Sequence, residues 1–248
     1  MRRALLQLEL LRLSRDPVGL LVVIALPVVF YLGFALGVPA PGADRALVRA
    51  SLMVGMASYG AATAASSLAG QAAVDRVQGW GRQLALTPLR DVDHIAVKGA
   101  VAAGAGLLPT AVVYLAGALT GVRMSPSAWL LSGALVVLGA WPWALYGMTV
   151  GLMGRTQSAT AAASAGLVLF AFVGDVFLPL AGPLQQLGRV SPMYGSVQLA
   201  RFPVDGGQPL FDGQLADPWW QSLLVAGAWG AVFALLALRQ VSRSRERG

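Results

Sequence analysis

The chain has 248 residues, of which 56% are hydrophobic and only 12% are charged, and its formal net charge is +7. Soluble globular domains are about one-quarter charged, so this composition excludes an ordinary soluble domain. The absence of cysteine and the single histidine exclude disulfide frameworks, thiol catalysis and a zinc site built from either residue type. Because the basic residues flank apolar runs, the positive charge indicates membrane topology and not a nucleic-acid partner.

Residues 1–16 place four arginines among leucines and precede the first long apolar run. We expect an interfacial helix here, because arginine side chains can extend to the headgroups while the leucines enter the membrane surface. A cleavable signal peptide is the alternative. It is disfavoured because the run beyond Asp16 exceeds the roughly 7–15 apolar residues of such a signal.

Six apolar windows follow, each near the length of about 20 residues that a helix needs to cross a bilayer. They predict an all-α polytopic membrane protein with a single transmembrane domain and both termini on one side. Pro142 is expected to kink the fourth span. Small residues at helical spacing predict close helix packing within one bundle, and a seam between two copies is the alternative. The pairs are Gly60/Ala64, Ser66/Gly70, Gly117/Gly121, Gly147/Gly151 and Ala162/Gly166. The predicted spans lie at about 18–38, 50–74, 96–121, 128–153, 159–180 and 219–238.

The distribution of positive charge orients these spans. If the amino terminus is cytoplasmic, thirteen of the eighteen Lys and Arg residues lie in inner segments and five in outer segments. The positive-inside rule therefore places both termini in the cytoplasm. The high content of Ala, Gly and Arg favours a bacterial source, so the expected location is a bacterial inner or plasma membrane. The five outer residues are Arg45, Arg49, Arg123, Arg189 and Arg201.

One inner segment, DRVQGWGRQLALTPLR at 75–90, is polar between two apolar runs. Residues 78–86 predict a short helix with Trp80 and Leu84 on one face, because residues four apart are neighbours on a helix. Pro88 ends this helix, since the residue before a proline is forced out of the helical region. An apolar face bordered by arginines favours a cytosolic partner, and a solvated loop is the alternative.

This stretch resembles the cytoplasmic loop of type-2 ATP-binding-cassette exporter permeases, whose pattern is acidic-Arg-x-x-Gly followed by Leu and Thr-Pro-Leu. Two departures are Val77, in place of a second acidic residue, and Trp80-Gly81, in place of Thr-Leu. Two other regions resemble the family in the expected order: Arg15-Asp16-Pro17 before the first span, and residues 177–201 before the last. The matching loop residues are Asp75, Arg76, Gly79, Leu84, Thr87, Pro88 and Leu89.

The resemblance implies a six-span subunit that works as a pair, with a homodimer or heterodimer left open, and that carries short re-entrant helices on its outer side. It also implies two cytosolic ATPases that meet a coupling helix in the 75–90 segment. We add to the matching residues Trp80, from the apolar face of the predicted helix, and Arg82, from its arginine border. The expected coupling residues are therefore Asp75, Arg76, Gly79, Trp80, Arg82, Leu84, Thr87, Pro88 and Leu89.

The sequence lacks the G-x-x-x-x-G-K-[ST] pattern that cradles nucleotide phosphates, and Lys98 is its only lysine. We therefore expect ATP and Mg²⁺ to be bound by the partner ATPase. With no cysteine, one histidine and one intramembrane carboxylate, the chain also offers almost no catalytic pair, so we expect no catalytic residue, metal or cofactor in it. An intramembrane enzyme, and a membrane anchor or immunity protein that binds a partner without transport, are alternatives. A further alternative is a transporter driven by an ion gradient without an ATPase. Asp175 is the only strong intramembrane carboxylate, which is little for the proton or sodium relays of such transporters.

Aromatic residues in the spans and the lone carboxylate are candidates for a path taken by an amphiphilic molecule, drug, antibiotic or lipid. Packed or lipid-facing aromatics are the alternative. The outer segment 202–218, which is rich in glycine and proline, is expected to be a flexible cap. The candidate path residues are Tyr59, Trp141, Trp143, Tyr146 and Asp175.

Overall fold

The computed structural model describes residues 17–37, 44–75, 104–154, 156–177, 180–211 and 213–245. All regular structure in these ranges is helical, which confirms the predicted all-α class for this part of the chain. The predicted interfacial helix at 1–16 and the predicted coupling helix at 78–86 lie outside the described residues. The helices are α1 (Pro17–Gly37), α2 (Arg45–Asp75), α3 (Leu107–Leu119), α4 (Pro126–Gly139), α5 (Trp141–Gly154), α6 (Gln157–Val173), α7 (Gly182–Gly188), α8 (Pro192–Asp205) and α9 (Trp219–Arg245).

The predicted fourth span is two helices joined at Ala140. Ser125 caps α4 by accepting a hydrogen bond from the backbone N–H of Ala128 at 3.2 Å. Pro142 has no N–H to donate to the preceding turn, so the helical ladder is interrupted beside it. Ala140 instead donates its N–H to the carbonyl of Val137 at 3.2 Å, which tightens the junction. The expected proline kink is therefore a break between α4 and α5.

Helix α2 is the centre of the bundle and packs against α1, α3, α4, α5, α6 and α8. Every residue from 50 to 62 is buried, so this part of α2 is covered on all sides. A helix surrounded in this way needs small apolar residues all round its axis, and the alanines and glycines of α2 meet that need. α2 is also unbroken over 31 residues, which corresponds to roughly 45 Å.

The closest packing in the bundle joins α2 to α5 through small residues. A methyl group added at Gly151 would lie 2.5 Å from the carbonyl oxygen of Gly70, and one added at Gly147 would overlap the backbone of Ser66. The predicted close approach of these small-residue pairs is therefore confirmed as packing within one chain.

The periphery of the bundle is apolar, as a surface in contact with lipid must be. Two stretches are long and apolar enough to cross a membrane, Pro126–Gly154 and Trp219–Ser242, and shorter apolar helices occur at Val23–Ala35, Leu107–Leu119 and Ser158–Val173. Along α9, Trp219, Trp220 and Leu224 are all more than half exposed. These features support a helical membrane protein, and the six-span topology stays a prediction.

Candidate functional site

Helix α6 ends at a turn that fixes the position of one carboxylate. Gly174 caps the helix by donating its N–H to Phe170 O at 2.7 Å. Asp175 follows with a φ of 61°, and it is the only described non-glycine residue with a positive φ. Aspartate tolerates this left-handed conformation better than most residues because its short side chain can form local hydrogen bonds. Asp175 Oδ1 does so by accepting the N–H of Leu180 at 2.6 Å.

Asp175 forms a buried ion pair with Arg201 of α8. Nη1 of Arg201 lies 2.9 Å from Oδ2 of Asp175, and the two side chains are only 6% and 5% exposed. Gln198, one turn earlier on α8, donates its side-chain amide to the same oxygen at 2.8 Å. A charge removed from water needs a partner and hydrogen bonds to be tolerated, and this carboxylate has both. We call Asp175, Gln198 and Arg201 the Asp175 cluster.

The Asp175 cluster also reaches the central helix. Arg201 Nε donates to the carbonyl oxygen of Ser51 in α2 at 3.1 Å. Gly55 lies one turn further along, and a methyl group there would stand 2.5 Å from Nη2 of Arg201. The absence of a side chain at position 55 therefore lets the guanidinium lie against α2. One arginine thus joins α8, α2 and the end of α6.

A small cleft opens beside this ion pair. Its walls come from the first turns of α2, from the turn after α6 and from the segment after α8. Asp175 and Arg201 supply charge, while most other lining side chains are apolar. The lining residues are Val48, Ser51, Leu52, Asp175, Val176, Arg201, Leu210, Phe211 and Gln214.

The segment expected to be a flexible cap is instead attached to the bundle. Residues 202–205 form the last turn of α8. Gln214 accepts the N–H groups of Leu210 and Phe211 at 2.9 and 3.1 Å, and it donates to the carbonyl of Leu180 at 3.2 Å. These bonds hold the segment across the cleft, because the side chain of Gln214 joins backbone N–H groups of the loop to the backbone carbonyl of the turn before α7.

A second polar group fixes the far end of the same segment, and we call it the loop network. Asp217 accepts the hydroxyl of Tyr194 at 2.6 Å and the guanidinium Nε of Arg189 at 2.9 Å. Gln185 donates to both Tyr194 and Asp217, at 3.0 and 3.1 Å. Burial raises the pKa of Tyr194, and its hydrogen bond to Asp217 raises that pKa further, so the phenol stays protonated and donates.

The predicted path residues do not line one common channel in the described structure. Tyr59 is buried, with its ring 5.2 Å from that of Phe177. Trp143 is buried among Tyr146, Phe170 and Phe233, at ring distances of 5.9, 5.8 and 5.9 Å.

Trp141 and Tyr146 are half-buried on α5, and only Asp175 lines the cleft. The path assignment stays a prediction for these residues. Of the predicted coupling residues, Asp75 ends α2, and Arg76, Gly79, Trp80, Arg82, Leu84, Thr87, Pro88 and Leu89 lie outside the described residues.

Sequence reasoning singled out Asp175 but not its partners. Arg201 and Gln198 lie on an outer segment, where the charge pattern alone treats an arginine as a topology signal. One available signal was that a buried carboxylate requires a basic partner, which at this end of the spans must be one of the outer arginines. Two of the five outer arginines, Arg189 and Arg201, do form the ion pairs of this region.

Comparison with known proteins identifies a relative that matches nearly the whole chain. No protein-family model matches the sequence. A protein of Bacillus subtilis (strain 168) named "Putative transport permease YvfS" is 26% identical over 243 residues, which cover 96% of this chain and 95% of that protein. The name describes that relative as a transport protein. The chain is therefore similar from end to end to a transport permease, which is consistent with the type-2 ATP-binding-cassette permeases that its motifs resemble.

Proposed function

We propose that this chain is the membrane subunit of an ATP-driven exporter in the inner or plasma membrane of a bacterium. It acts as one of two permease copies and moves an amphiphilic molecule outward, such as a drug, an antibiotic or a lipid. The observation that carries this proposal is the similarity to a transport permease over 96% of the chain. The ordered motifs of the sequence and the apolar, all-helical bundle support it.

The energy comes from a separate ATPase in this proposal. The sequence lacks a phosphate-binding loop, so a partner binds ATP and Mg²⁺ and supplies the hydrolysis. The partner docks on the 75–90 segment, which directly follows α2. Helix α2 is continuous over 31 residues and central to the bundle. A displacement of its end at Asp75 therefore moves the whole helix as a rigid body, including the part that lines the cleft near Ser51.

Reconstitution with an ATP-binding-cassette ATPase, to be sought among the genes that neighbour the one for this chain, tests the proposal. The assay measures ATP hydrolysis and the transport of two probes, rhodamine 6G and a fluorescently tailed phosphatidylethanolamine, in proteoliposomes. We expect transport of at least one probe that requires ATP and stops when the Walker lysine of the ATPase is replaced. Transport that survives without ATP and collapses with an uncoupler would instead establish the gradient-driven alternative.

A further inference from the structure

The Asp175 cluster joins three parts of the bundle, namely α8, α2 and the turn after α6, through polar contacts. Arg201 extends from α8 and bonds both to Asp175 after α6 and to the Ser51 carbonyl in α2. The cleft beside it is covered by Leu210, Phe211 and Gln214. The pair therefore closes one end of the bundle, the end at which α2 begins.

A need for stability does not by itself explain this pair. Burying two charges removes them from water, and well-packed apolar residues of similar size are often as stable or more so. Breaking such a pair on one side, in contrast, leaves an uncompensated charge that strongly favours hydration. An ion pair at an internal junction thus has two favourable arrangements, one paired and dry and the other separated and hydrated.

An apolar contact at the same junction lacks the second arrangement, because water does not stabilise apolar side chains when they separate.

The ion pair also lies near the start of α2, where it is connected to the rest of that helix. The opposite end of this unbroken helix leads into the segment that we assign to ATPase docking. Movement of α2 therefore changes the distance between the Ser51 carbonyl and Arg201 directly.

We propose that Asp175 and Arg201 form a latch that closes the outer end of the transport route and separates once in each transport cycle. This inference rests on the proposed exporter function. In the closed state Arg201 holds α8 and the covering loop against α2 and α6. In the open state both charges are hydrated, and the cleft lined by Ser51 is open to the outer solution.

The absence of natural cysteines allows a direct test with single cysteines in lipid nanodiscs. Ser51→Cys places a thiol in the cleft, where the native side chain is only 2% exposed, and a membrane-impermeant maleimide reports its accessibility. Ser66→Cys is the matched control, because Ser66 is 1% exposed on the same helix and about 22 Å further along its axis. Ser127→Cys, at an exposed position, is the positive control.

Two latch variants are expected to act in opposite directions. Asp175→Asn keeps a residue that tolerates the left-handed backbone but leaves Arg201 without its counter-charge. We expect it to open the latch and to speed the labelling of Ser51→Cys about 100-fold, with Ser66→Cys still protected. The double variant Asp175→Asn/Arg201→Met has no charge to hydrate. We expect it to stay closed and to melt at or above the wild-type temperature, while rhodamine 6G transport falls about tenfold or more.

A purely structural pair would give the opposite pattern. Asp175→Asn would then lower the melting temperature without exposing Ser51→Cys, and the double variant would transport as well as the wild type. Either result overturns the latch.

The partner ATPase with ATP and vanadate should speed labelling of Ser51→Cys in the otherwise native chain. If ATP and vanadate do not change the labelling rate of Ser51→Cys in a chain that transports with ATP, the latch is overturned while the exporter function is still supported. If ATP supports no transport at all, the exporter function fails, and the labelling of Asp175→Asn alone decides whether the latch exists.

Discussion

The contact between α2 and α5 gives a quantitative prediction for Gly151→Ala. The new methyl group would stand 2.5 Å from the Gly70 carbonyl oxygen and 3.1 Å from the Ala73 side chain, whereas ordinary contact begins at 3.4 Å. The obstacle at 2.5 Å is backbone, which cannot rotate away as a flexible side chain can. The two helices must therefore separate by about 1 Å at this point, in a core that is otherwise close-packed.

Overpacking of this kind costs about 1–3 kcal/mol. In a chain of this size 1 kcal/mol corresponds to about 2–4 °C, so the melting temperature should fall by about 2–12 °C. Helix propensity acts in the other direction, since alanine is favoured over glycine by about 1 kcal/mol within a helix. A control that changes propensity without changing packing is therefore required.

Gly227→Ala is that control, because a methyl group at Gly227 in α9 would meet no atom within 4 Å. Both variants are purified in the same detergent, and their unfolding is followed by far-ultraviolet circular dichroism. We expect Gly151→Ala to melt several degrees below Gly227→Ala, and Gly147→Ala to be lower still because its methyl group overlaps Ser66. Equal melting temperatures for Gly151→Ala and Gly227→Ala would refute the close crossing of α2 and α5.

Three further predictions concern docking, the loop network and topology. Leu84→Asp should abolish co-purification of the partner ATPase, because it places a charge on the apolar face of the predicted coupling helix. Ser127→Asp, on the predicted outer side, is the control and should retain the ATPase. If both variants retain the ATPase, the docking assignment is wrong. Tyr194→Phe should destabilise the chain by about 1–3 kcal/mol in thermal unfolding, because the half-buried Asp217 carboxylate loses a donor. An unchanged melting temperature would show that the hydroxyl contributes nothing. In whole cells a membrane-impermeant maleimide should label Ser127→Cys but not Trp80→Cys. Labelling of Trp80→Cys would place the coupling segment outside the cell and would contradict the exporter proposal.

Features that depend on local pattern were predictable from the sequence. Apolar windows follow from composition, and the break between α4 and α5 follows from the missing N–H of Pro142. The close crossing at Gly147 and Gly151 follows from the helical repeat, because residues four apart lie on one face of a helix. Each of these properties is set within a few turns of one helix, so no knowledge of distant partners is needed.

The ion pairs and the attached loop were decided only by the tertiary structure. Asp175 and Arg201 are 26 residues apart, and the carbonyl of Ser51 is 150 residues from Arg201. The sequence offers five outer arginines as partners for Asp175 and gives no means of choosing among them. The choice depends on where α8 lies against α2 and α6, and on the space left by Gly55, both of which result from packing the whole bundle.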